Sequence, residues 1–201
     1  MTIERSEMRE FKKAIREAII DIAREIFARY GYRKATMDAI ARAARKGKSS
    51  VYYYFKNKEE IFQAVLDKEV NGIKREILNA LVLATDPEEK FRTYVLTRMR
   101  IFSRIARSFR TFEYEYLEEY NFIQRLRENY DKYEMKMIKD ILDEGIKKGV
   151  FALKDSPMTA FAIVVALKGF EYIWATENDF SKLEKTIDSL TDMFFKGILK
   201  R

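Results

Sequence analysis

Apolar residues recur at intervals of three and four along almost the whole chain, and this spacing decides the fold class. Ile15, Ile19, Ile22, Ile26, Phe27 and Tyr30 lie on one stripe, and Ile61, Phe62, Val65, Leu66, Val70, Ile73, Ile77 and Leu81 lie on another. A period of 3.6 gives helices with a buried face, whereas strands would need alternation. Only 2 of the 201 residues are Pro and 7 are Gly, too few to turn a many-stranded sheet. No run alternates convincingly, no repeat is visible and no low-complexity linker divides the chain. The spacing predicts an all-α protein.

Local signals place the helices. A first helix spans about 9–30, with Gly31 where a left-handed C′ residue is wanted. Thr36 is an N-cap for a short helix over 37–44, and a second short helix follows at about 48–54. Asn57 with Glu60 three residues on, and Asp86-Pro87-Glu88-Glu89, are start signals for two longer helices. Further helices are expected at about 88–106, 109–119, 121–148, 157–175 and 180–200.

What the chain lacks narrows its chemistry. With 201 residues it can bury a core unaided, and it has neither Cys nor His. Thiolate nucleophiles, disulfides, imidazole bases and Cys- or His-ligated metals are therefore excluded. The residues point to no catalytic centre, no metal and no cofactor. The start, MTIERSEMREFKK, has no apolar core of a signal peptide, and the longest apolar run, Ala160 to Leu167, is far short of the roughly 20 residues of a membrane span. A cytoplasmic protein without membrane contact is expected.

Charge is concentrated at one end. Of the net +7, residues 1–60 hold 15 basic and 9 acidic residues. Within 33–58, Arg33, Lys34, Arg42, Arg45, Lys46, Lys48, Lys56 and Lys58 face Asp38 alone. Such a block is a footprint for phosphates, although a solvated basic face gives the same count.

The block coincides with a helix–turn–helix pattern, TMDAIARAARKGKSSVYYYF over 36–55. Ile40 and Val51 supply core contacts, Ala41 and Ala44 allow close approach, and Gly47 offers a permissive turn. The second helix then turns Lys48, Ser49, Ser50, Tyr52 and Tyr53 outward, side chains able to reach bases and phosphates. An ordinary helical hairpin is the competing reading, but helices this short bury little and would not need so many charges.

Gly31-Tyr32, Thr36, Ile40-Ala41, Ala44 and the run Val51-Tyr52-Tyr53-Tyr54-Phe55-Lys56-Asn57-Lys58-Glu59-Glu60-Ile61 resemble the TetR family of bacterial transcriptional regulators, over about residues 12–65. The resemblance implies a three-helix DNA-binding domain at 1–56, followed by a helical domain for effector binding and dimerisation at 57–201. It implies that Thr36 and Met37 begin the helix that touches the DNA backbone, and that Lys58 contacts a phosphate. One departure stands out: the family often has Gly then Val where this chain has Arg45 and Lys46, two further charges able to reach phosphates.

The C-terminal part offers two more expectations. Segment 157–175 is apolar on nearly every side, so it needs a second partner. With Leu183, Ile187, Leu190 and Phe194 of the last helix, Val165 is expected in a four-helix homodimer interface. A palindromic double-stranded operator would match that symmetry. Between the ends lies a ring-rich segment. Phe102, Phe109, Phe112, Tyr116, Tyr120, Tyr133 and Met137, with Phe170 and Trp174, are candidates to line a cavity for a small-molecule effector, or simply to fill a core.

The leading reading is a sequence-specific DNA-binding regulator, a repressor released by its effector. A carboxylate- or metal-dependent helical enzyme is the alternative, with Glu113, Glu115, Glu118 and Glu119 as donors; Glu115 and Glu119 are the best-placed pair on one helix face. A helical protein-interaction module is the third.

Overall fold

The structure is a computed structural model that describes residues 2–108, 120–176 and 180–198. The described elements are helices throughout: α1 (Thr2–Lys34), α2 (Met37–Ala43), α3 (Lys48–Tyr54), α4 (Lys58–Leu81), α5 (Pro87–Ser108), α6 (Tyr120–Lys147), α7 (Ser156–Thr176) and α8 (Phe180–Ile198). The helix expected at 109–119 lies outside the described residues.

The caps form as the residues dictate. Ala39 N donates to Thr36 Oγ1 at 3.1 Å. Glu60 N donates to Asn57 Oδ1 at 2.8 Å, while Glu60 Oε2 accepts from Lys56 N at 2.7 Å. Asp86 and Glu89 repeat this reciprocal arrangement at the start of α5, where Glu89 N donates to Asp86 Oδ1 and Glu89 Oε2 accepts from Thr85 N. Each such cap satisfies orphan donors and is worth about 1 kcal/mol.

One expectation about α1 changes: it begins at Thr2 rather than near residue 9. Its regular helix stops at Gly31, which has the expected positive φ, 80°, with ψ 166°, and a last short helical stretch runs on to Lys34. The chain thus bends at Gly31 before turning into α2.

The chain forms two compact units that divide between Glu69 and Val70, inside α4, rather than at 56/57. The reason is packing. Ile61, Ala64 and Val65 of α4 are buried with Ile19, Ile20, Ala23 and Phe27 of α1, Ile40 and Ala41 of α2, and Val51 of α3. The Met1–Glu69 part of the N-terminal unit is therefore three helices plus the first half of a fourth. In the C-terminal unit, Phe91, Tyr94, Val95 and Met99 of α5, Ile138 and Leu142 of α6, Val164 and Leu167 of α7, and Ile187 and Phe195 of α8 share one core.

Candidate nucleic-acid interface

The helix–turn–helix is held from inside by Ile40 and Val51, both fully buried, as the pattern required. The turn takes a different path from the one Gly47 suggested. Ala44 closes α2, Arg45 adopts φ 51°, and Gly47 has an ordinary φ of −64° as N-cap of α3. Arg45 N donates to Arg42 O at 3.1 Å and Lys46 N to Ala41 O at 3.0 Å, the paired bonds of a Schellman motif. The left-handed position that usually takes Gly thus carries Arg45, at a steric cost of about 1 kcal/mol. Arg45 and Lys46 are both exposed.

The outer face of α3 is open. Tyr52 is 44% and Tyr53 65% exposed, and Lys48 and Ser49 are also exposed, with Ser50 half-buried. Lys48 Nζ lies 2.8 Å from Asp38 Oδ1, and this contact raises the ammonium's pKa above its ordinary value. Both partners are largely in water, where such a pair is worth little and a phosphate can replace the carboxylate. Tyr53 is less independent than Tyr52: its hydroxyl accepts from Lys12 Nζ at 2.7 Å, and its ring packs edge-on against Tyr54.

Three other residues are placed less directly than the resemblance implied. Thr36 is exposed, but its hydroxyl caps α2. Met37 packs its side chain against the N-terminal core. Lys58 Nζ donates to Tyr32 O at 2.7 Å and to Arg33 O at 3.3 Å, and sits 4.3 Å from the centre of the Tyr32 ring. It ties α4 to the carbonyl end of α1, where a cation complements the helix dipole.

The ring-rich segment is only partly described. Phe109, Phe112 and Tyr116 lie outside the described residues, as do Glu113, Glu115, Glu118 and Glu119 and the side chains of Tyr120, Trp174 and Leu183. Phe102, Tyr133, Met137 and Phe170 are half-buried. Met137 and Phe170 pack on the core, and the Tyr133 ring receives the Lys74 ammonium at 4.2 Å. Of the interface candidates, Val165 is 52% exposed. Ile187 is fully buried in its own chain, Leu190 is half-buried, and Phe194 stacks on Phe91 at 4.9 Å. The stripe of α8 thus faces its own core first.

Sequence reasoning missed a buried polar network in the C-terminal unit. Arg98 of α5, Glu134 of α6 and Glu171 of α7 are 3%, 1% and 0% exposed. Arg98 pairs with Glu134 through Nε and with Glu171 Oε1 through Nη2 at 2.7 Å. Arg127 grips Glu171 with both terminal nitrogens, at 2.7 and 2.9 Å, and Tyr94 donates to Glu134 Oε1 at 2.6 Å. Burial alone would push the Glu171 carboxyl up, but Arg127 and Arg98 beside it hold it at about 2. Burial raises the Tyr94 and Tyr130 hydroxyls, so both stay protonated. The signal was present, since Arg98, Glu134 and Glu171 each fall on the apolar stripe of their helix.

Among the described residues no group of three or more acidic side chains is placed to hold a metal, and no described helix is long and apolar enough to cross a membrane.

The family model for bacterial regulatory proteins of the tetR family matches residues 19–65, and a second, for the tetracyclin repressor-like C-terminal domain, matches 84–198. The chain belongs to the TetR family of DNA-binding transcriptional regulators. An uncharacterized HTH-type transcriptional regulator of Bacillus subtilis, YhgD, is 24% identical to this TetR family protein over 185 residues, 91% of this chain and 96% of that one. The HTH-type transcriptional regulator QacR of Staphylococcus aureus is 22% identical over 189 residues, 92% and 99% of the two chains. A solved transcriptional regulator of Cytophaga hutchinsonii aligns with a TM-score of 0.73 at 28% identity, over 92% of this chain and 98% of that one.

Proposed function

We propose that this TetR family regulator is a homodimeric repressor that reads a palindromic operator with α3 and leaves it when a small molecule binds the C-terminal unit. Lys48, Ser49 and Tyr52 meet the groove, while Arg45 and Lys46 in the turn and the half-tied Tyr53 flank it. Thr36, Met37 and Lys58 contribute by fixing the ends of α2 and α4.

The observation that carries the reading is the outer face of α7. Met158, Phe161, Ala162, Val165, Ala166 and Gly169 recur at steps of three and one, and all are exposed. An apolar helical stripe of this length left in water marks a protein interface. Its small residues allow a second helix to approach closely. Two-fold pairing is the simplest way to cover it, and a two-fold protein matches a palindromic operator whose half-sites lie about 34 Å apart on successive grooves.

The effector is apolar and uncharged. Every buried charge described in the C-terminal unit already has a partner of opposite sign, so none is left to attract an ionic ligand. Such a ligand binds by burial, at roughly 25 cal/mol per Å². It releases DNA only by preferring a subunit arrangement that DNA does not.

The test is sedimentation of wild type and Val165→Glu, with both assayed on duplexes selected from a random pool. Wild type is expected to be a dimer selecting a palindrome, and Val165→Glu a folded monomer that binds poorly. A monomeric wild type, or a selected site without symmetry, contradicts the dimer. Release of DNA by hydrophilic anions alone contradicts the effector class.

A further inference from the structure

We infer that the N-terminal half of α1 is a second DNA-contacting element, a basic stripe that continues the recognition surface onto phosphates flanking the site read by α3. Arg9, Lys12, Lys13 and Arg16 stand at i, i+3, i+4 and i+7, so they share one face of α1. All four are exposed, and none is ion-paired to a described carboxylate. Glu7 and Glu10 are exposed on the same stretch of α1, where the four cations outnumber them two to one. Glu17 and Asp21 turn to α4, where Lys68 Nζ reaches Glu17 Oε2 at 3.3 Å and Asp21 Oδ1 at 2.5 Å.

Contacts fix where the stripe points. Lys12 Nζ donates to the Tyr53 hydroxyl at 2.7 Å, and the Arg16 guanidinium lies 4.9 Å from the centre of the Phe55 ring. The stripe therefore lies against the C-terminal end of α3, beside the tyrosine that α3 itself presents. Arg9 and Lys13 flank these two and have no partner among the described residues. From Arg9 to Arg16 the helix rises about 10 Å, room for one or two phosphates. Cations held on a rigid helix edge beside a groove-reading helix position a protein on the duplex without reading its sequence.

The inference rests on α3 facing DNA, and the test separates the two. Binding to a 40-base-pair duplex of random sequence is measured by fluorescence anisotropy across a salt series. Each lost phosphate contact flattens the log–log salt dependence by about 0.9, so Arg9→Gln/Lys13→Gln, at one or two phosphates per protomer of the bound dimer, is expected to flatten it by about 1.8 to 3.6 and weaken binding roughly 60- to 4,000-fold at 0.1 M salt. The charge-keeping pair Arg9→Lys/Lys13→Arg should retain the wild-type slope. Arg29→Gln/Arg75→Gln removes the same net charge from exposed sites elsewhere and should leave the slope nearly unchanged. A wild-type slope in Arg9→Gln/Lys13→Gln, or an equal loss in Arg29→Gln/Arg75→Gln, overturns the stripe. Arg45→Gln/Lys46→Gln reports on the turn of the helix–turn–helix. Loss there with none from Arg9 and Lys13 overturns the stripe alone, and loss in neither overturns the docking of the whole surface.

Discussion

Replacing Glu171 by Gln should cost this protein several kcal/mol at neutral pH and much less in acid. The carboxylate is fully buried between Arg98 and Arg127, and holds about 2 against an ordinary 4.5. A shift of that size corresponds to about 3 kcal/mol between the charged and neutral forms. Breaking a buried ion pair from one side costs about 3–5 kcal/mol by a separate line of reasoning, because Arg98 and Arg127 would keep charge that Glu134 alone cannot balance. The two figures agree. The sign of the pH dependence follows from the folded value lying below the unfolded one. As pH falls the unfolded chain takes up the proton first, so the stabilisation is complete above about 4.5 and is lost towards about 2. By pH 3 roughly 2 kcal/mol of it is gone. Urea denaturation of wild type and Glu171→Gln at pH 7, 5, 4 and 3 checks this. The gap between them should be about 3 kcal/mol at pH 7 and near 1 kcal/mol at pH 3. A gap below about 0.5 kcal/mol at pH 7, or one that does not narrow, refutes the reasoning.

Three further substitutions are expected to behave against simple rules. Gly145→Ala should destabilise by about 1–3 kcal/mol in thermal or urea unfolding, although Ala is the better helix former, because the new Cβ would sit 2.0 Å from a ring carbon of buried Phe151. Arg45→Gly should raise stability by about 1 kcal/mol by relieving the left-handed backbone, while weakening duplex binding in an anisotropy titration. Lys58→Met should lower the melting temperature through about 1 kcal/mol of lost bonding to Tyr32 and Arg33 carbonyls, an effect that a residue serving phosphate alone would not show.

Legibility in the sequence followed the range of the interaction. Caps at Thr36, Asn57 and Asp86 were readable because donor and acceptor lie three or four residues apart. So were Ile40 and Val51, whose spacing forces them inward. The start of α1 was not, because residues 2–8 form helix without the packed stripe that marks one. Arg45 was hidden by a sound rule: with Gly47 two residues later, glycine was the natural choice for the left-handed position. The packing of Ile61, Ala64 and Val65 into the N-terminal core was not legible, because they belong to a helix whose start signal lies just before them. Arg98, Glu134 and Glu171 each broke an apolar stripe, but the sequence could not say that three distant helices bring them together. The stripe of α8 was read correctly as apolar; no pattern says whether such a face meets its own chain, as Ile187 does, or another.

The central claim is that the open face of α3 reads bases while the surrounding cations hold phosphates. Tyr52→Ala measures it most directly, on a duplex selected by the wild-type protein and on one of random sequence. Tyr52 is half-exposed and outside the core, so melting should be unchanged. The account expects a loss of about 1–3 kcal/mol on the selected duplex, and wild-type affinity with an unchanged salt slope on the random one. Equal affinity on the selected duplex, or equal losses on both, would contradict it.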